Sequence, residues 1–104
     1  MNGSDNGNMI EIATGINNDF HNEMIKKYGD LQLVVTFEEF SELQKEICKY
    51  MRSPSMEVKK HITEEIGDVL IMLEQLIVHL DINTADIVND MKFKINRTKE
   101  RLLK

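Results

Sequence analysis

The chain is 104 residues long, 41% hydrophobic and 30% charged, with a formal net charge of -5. That length fits one small domain with a modest core, and the acidic balance argues against nonspecific nucleic-acid or anionic-membrane binding as its main task. A lone cysteine, Cys48, excludes an intramolecular disulfide and a cysteine-based metal cluster, and the longest apolar run, near Val69–Leu73, is too short to span a membrane.

Residues 1–9 are polar and glycine-rich and lack the charged and apolar regions of a signal peptide. They read as a flexible tail ahead of a domain over 10–104, with the cytoplasm as the default compartment. The first helix is predicted over about 10–27, where Ile12, Ile16, Phe20 and Met24 recur every four residues. Asn17, Asn18, Asp19 and His21 read as its solvated polar face. Gly29 suits the position after the helix end, because glycine takes left-handed backbone angles without cost.

The second helix is predicted over about 32–51, with Leu33, Phe37, Phe40, Leu43, Ile47 and Tyr50 spaced three and four apart. Val34 and Val35 admit a short strand, but nothing nearby would pair with it. Cys48 falls inside this helix and reads as buried. Residues 52–55 form a turn, with Ser53 as a cap and Pro54 at the first helical position.

The third helix is predicted over about 54–79. Its apolar face is wide, including Ile62, Ile66, Val69, Leu70, Leu73 and Ile77, which implies more than one neighbour and makes self-association plausible. Gly67 interrupts it at a cost of about 1 kcal/mol relative to alanine. A close approach of another helix or of a ligand would justify that cost. The fourth helix begins near Asn83, which has capping-box spacing to Asp86. It ends in a basic cluster that includes Lys92, Lys94, Arg97 and Lys99, favourable at a helix C-terminus on dipole grounds alone. The expected fold is all-α, a four-helix bundle-like packing of antiparallel helices. Several of the methionines are expected to fill gaps in its core.

Two acidic clusters carry the chemistry: Glu38, Glu39 and Glu42 on the second helix, and Glu64, Glu65 and Asp68 on the third. Glu39 and Glu42, like Glu65 and Asp68, are three apart and share a helix side. The short turn makes the helices antiparallel neighbours, and Glu42 and Glu65 are nearly equidistant from it, so they sit at similar height. Converging like charges must protonate or be neutralised by cations. An all-oxygen set suits Mg2+ first and Mn2+ second. Zinc is disfavoured without cysteine or histidine in the cluster. A ferritin-like di-iron site is disfavoured because His61 precedes Glu65 in the wrong order and spacing. The plainer reading is an acidic solvated face matched by Lys45, Lys49 and Lys60.

The same residues resemble the signature of the MazG-like all-α nucleoside triphosphate pyrophosphohydrolases: Glu-Glu-x-x-Glu on one helix and Glu-x-x-Asp on the next. Here these are EEFSE at 38–42 and EIGD at 65–68, and EEIGDVLIML resembles the family's second segment closely, glycine included. The resemblance covers about residues 12–102. It implies Glu39, Glu42, Glu65 and Asp68 as metal ligands, and Glu38 as an accessory acid at a second ion or at the attacking water. It also implies Lys92, Asn96 and Arg97 as phosphate-facing residues. The implied activity is Mg2+-dependent hydrolysis of a nucleoside or deoxynucleoside triphosphate to monophosphate and pyrophosphate by metal-activated water, in a homodimer or homotetramer. The tryptophan that many relatives use near the base is absent, leaving Phe20, His21 and Tyr28 as substitutes. Alternatives are a phosphoribosyl-ATP pyrophosphohydrolase, with the same bond type, and a non-catalytic helical nucleotide-binding or interaction module.

Overall fold

The computed structural model describes residues 18–104, which form four α-helices in an all-α fold. The expected tail over 1–9 and the first part of the first predicted helix lie outside the described residues. The helices are α1 (Asn18–Tyr28), α2 (Leu31–Arg52), α3 (Met56–His79) and α4 (Thr84–Leu102).

Their ends follow from local chemistry. Gly29 closes α1 with φ +56°, its N–H donating to the Ile25 carbonyl at 2.6 Å. Asp30 precedes α2 without capping it through its side chain. Its Oδ1 instead lies 3.1 Å from His79 Nε2, tying the start of α2 to the last turn of α3. The turn after α2 differs from expectation. Ser55, not Ser53, caps α3, accepting a hydrogen bond from the Val58 N–H at 3.1 Å. Ser53 ends α2, its N–H donating to the Lys49 carbonyl. Two serines flank Pro54, and only the second reaches the extended backbone that a cap requires. Asn83 caps α4 by accepting from the Ala85 N–H at 2.8 Å.

Helices α2 and α3 form the main antiparallel pair, and α1 packs chiefly on α3. Helix α4 follows a reversal at Asp81 and contributes no buried residue.

The faces that meet are unusual. Among the described residues six polar ones are buried: His21, Gln32, Thr36, Glu46, Glu74 and Gln75. Among the described residues Met72 is the buried apolar one. The apolar stripe expected to form the core side of α2 points largely outward, with Phe37 66% exposed and Phe40, Ile47 and Tyr50 also exposed. Gln32, Thr36, Glu39 and Glu46 occupy the inner side instead. His21 is fully buried rather than solvated, and Cys48 is exposed rather than buried. The acidic rows of α2 and α3 face each other, so the apolar rows must face elsewhere.

Candidate metal centre

The antiparallel register of α2 and α3 is fixed at one point by Glu46 and His61, whose Oε1 and Nδ1 are 3.3 Å apart. The same register sets Glu42 opposite Glu65 and Glu39 opposite Asp68. Carboxylate oxygens of Glu39, Glu65 and Asp68 can all be chosen within 4.8 Å of one another. Glu39 and Glu65 are half-buried, while Asp68 is exposed. The opening at Asp68 leaves an approach from solvent.

The electrostatics are those of crowded anions. Partial burial raises the Glu39 carboxyl above its ordinary range, and Asp68, Glu65, Glu42 and Glu38 push it further in that order. Glu65 is raised in the same way, by desolvation first and then by Asp68, Glu42, Glu46 and Glu64. Its Oε2 is shielded from solvent and has no hydrogen-bond partner among the described residues. An orphaned, shielded carboxylate oxygen facing two other acids fits a hard divalent cation, whose charge would reverse the repulsion.

Of the residues singled out in the sequence, Glu42 is exposed and lies outside the tight group, though close enough to act on both Glu39 and Glu65. Glu38 is exposed on the adjoining rim. Lys92, Asn96 and Arg97 are exposed on α4, where Arg97 lies 5.6 Å from the centre of the Phe93 ring. No ion pair joins them to the acidic cluster among the described residues.

Sequence reasoning missed Glu46. It lies one turn beyond Glu42 and is buried, accepts from Lys49 Nζ at 2.9 Å and faces His61. The Lys49 hydrogen bond is the largest cause holding its carboxyl below the usual range. Glu46 is therefore held through Oε2 by Lys49, while its shielded Oε1 faces His61 without a hydrogen bond among the described residues. The signal was the continuation of the acidic spacing from Glu42 to Glu46.

No family model, no curated protein and no solved structure matches this chain. No described helix is long and apolar enough to cross a membrane.

Proposed function

We propose that this chain is a divalent-metal-dependent pyrophosphohydrolase that cuts nucleoside or deoxynucleoside triphosphates to monophosphate and pyrophosphate. The observation that carries the reading is the approach of Glu39, Glu65 and Asp68 oxygens within 4.8 Å of one another. The MazG-like motifs that supply these residues give the reaction type.

Glu39, Glu65 and Asp68, with Glu42 beside them, would hold Mg2+, or Mn2+ in its place. The ion supplies charge neutralisation of the triphosphate and a lowered pKa for the attacking water. Glu38, at the rim, orients that water and accepts its proton. Lys92, Asn96 and Arg97 bind the leaving pyrophosphate. Because α4 has no buried residue in the single chain, these groups serve a neighbouring copy's acidic cluster in a homodimer or homotetramer. The outward apolar rows of α2 and α4 are the surfaces for that assembly.

The test is incubation of purified protein with a panel of triphosphates in Mg2+, then in excess chelator, with pyrophosphate and orthophosphate assayed separately. Metal-dependent pyrophosphate release, lost in Glu65→Gln, is expected. Orthophosphate instead would keep the metal site and move the scissile bond. Failure of every nucleotide, phosphoribosyl-ATP included, would leave a second reading. That reading is a non-catalytic metal- or nucleotide-binding helical module, which the separation of the α4 bases from the acids favours.

A further inference from the structure

One side of α4 is apolar. Val88, Met91, Ile95 and Leu102 recur there, and all four are exposed. No other described helix packs along α4, and a 19-residue helix without a neighbour is marginal in water. The outward seam of α2 has the matching pattern. Phe37, Phe40, Gln44, Ile47 and Met51 alternate three and four apart, and all are exposed. The charges beside both seams run in the same order, acid and then base. Beside the α2 seam, Glu38 and Glu42 come first, and Lys45 and Arg52 follow. Helix α4 starts with Asp86 and Asp90 and no cation. It then carries Lys92 and Lys99 on one side of its seam and Lys94 and Arg101 on the other. Six cations and Glu100 give residues 91–104 a net charge of +5 in a chain of -5, leaving -10 for the rest.

This order selects the occupant of the two seams. Laid parallel, they would set the cations of α4 against Lys45 and Arg52. Laid antiparallel, they set those cations beside Glu38 and Glu42, and the acidic start of α4 beside Lys45 and Arg52. A chain cannot do this to itself. His79 Nε2 lies 3.1 Å from Asp30 Oδ1, so α3 ends where α2 begins, and α4 starts five residues later at Thr84. Five residues reach at most about 18 Å, whereas the 22 residues of α2 run about 33 Å. The chain's own α4 could therefore meet its own α2 only in the parallel sense. Nucleic acid or an anionic bilayer would be repelled by the -10 of the rest of the chain. We infer that a second copy of this chain lays its α4 antiparallel along the outward seam of α2 and receives the first copy's α4 in return. A two-fold axis closes such an exchange. The inference gives the neighbour-serving α4 of the reading above its surface and its direction, and it rests on that reading only for the use of the cations on phosphates. Phe93, on the far side of α4, lies outside this seam and is left for contact between pairs.

Cys48, exposed beside the α2 seam, provides the test. Matching the seam ends antiparallel, Phe37 to Leu102 and Met51 to Val88, brings Cys48 level with a second copy's Met91. Parallel matching brings it level with Thr98 instead. Met91→Cys, Thr98→Cys and the wild type are oxidised mildly and separated on non-reducing gels, with circular dichroism melts of each and sedimentation of the wild type over a dilution series. A disulfide needs Cα atoms within about 7 Å, so Met91→Cys should form at least about tenfold more covalent two-chain species than either of the others. Adding Ile95→Asp to Met91→Cys should abolish that species. Thiols left free in a folded Met91→Cys protein, a disulfide closed within one chain, or a wild type that sediments as a single chain throughout would overturn the inference. Crosslinked pairs that cleave no triphosphate would sink the hydrolase reading and leave the docking standing. A single-chain protein that releases pyrophosphate would do the reverse.

Discussion

His61 Nδ1 stands 3.3 Å from Glu46 Oε1, across the interface of the two acidic helices. Glu46 thus has two basic neighbours, Lys49 hydrogen-bonded to Oε2 and His61 beside Oε1, so it is expected to contribute little to metal binding. His61→Ala is expected to lower the melting temperature modestly and to change Mn2+ affinity by less than about threefold, as for a partly exposed pair. Calorimetric titration of Mn2+ checks this. A loss of metal binding as large as that of Glu65→Gln would place His61 and Glu46 inside the centre.

Glu65→Gln should separate stability from function. In chelator at pH 7 it relieves repulsion among half-buried acids, so its melting temperature is expected to exceed that of the wild type. Added Mg2+ should raise the wild-type value and leave the variant unmoved. Triphosphate turnover should fall by about a hundredfold or more. Thermal shift with and without metal, alongside pyrophosphate release, measures all three.

His21 and Glu74 give opposite pH dependences. Burial holds His21 below its ordinary 6.5, so folding binds fewer protons and stability is lost as pH falls from 6.5 towards the lowered value. Burial raises Glu74 above its ordinary 4.5, so folding binds more protons and stability is lost as pH rises from 4.5 through the raised value. Glu74→Gln is expected to stabilise at pH 7 by about 1 kcal/mol, with the gain fading towards pH 4.5. His21→Leu should remove acid sensitivity below 6.5. Urea denaturation at several pH values tests both signs.

Two glycines should respond oppositely to alanine. A Cβ at Gly67 meets nothing within 4 Å, so no close approach among the described residues accounts for that glycine. Gly67→Ala is expected to stabilise the chain by about 1 kcal/mol through helix propensity. Gly29 has φ +56°, and Gly29→Ala should destabilise by about 1 kcal/mol. Reduced turnover in a thermally stabilised Gly67→Ala would show that a ligand or a second copy needs the space.

Helix α4 exposes Met91 and Ile95 on one side and Phe93 on the opposite side, with Phe93 63% exposed. Phe93→Asp is expected to shift sedimentation from an oligomer towards the monomer, and to lower turnover if α4 serves a neighbour's site. Monomeric wild-type protein with full activity would refute the shared-site arrangement.

Much of the architecture was legible because it is written locally. Gly29 marked a helix end, Asn83 a helix start, and the three-residue spacing of Glu39, Glu42, Glu65 and Asp68 put acids on facing sides of neighbouring helices. Ser53 was misread because cap choice depends on which serine becomes extended beside Pro54. The orientation of α2 was misread because an apolar stripe marks a face that seeks burial without saying by what. Phe37 and Phe40 follow that stripe, yet Gln32 and Glu46 point inward. His21 and Cys48 were misplaced for the same reason, since burial follows from how helices rotate against each other.

Met72 is the fully buried apolar side chain among the described residues, while Leu33, Val35, Leu43, Val69 and Leu70 are only partly covered, so folding of a lone chain removes less apolar surface from water than a closed core would. The heat-capacity change of unfolding scales with that surface. A lone chain would therefore have a shallower stability curve across temperature than an assembled one. Covering the outward rows would make the curve more strongly domed, so scanning calorimetry at increasing dilution would register loss of assembly as a falling heat-capacity step, even where the helix content stays the same.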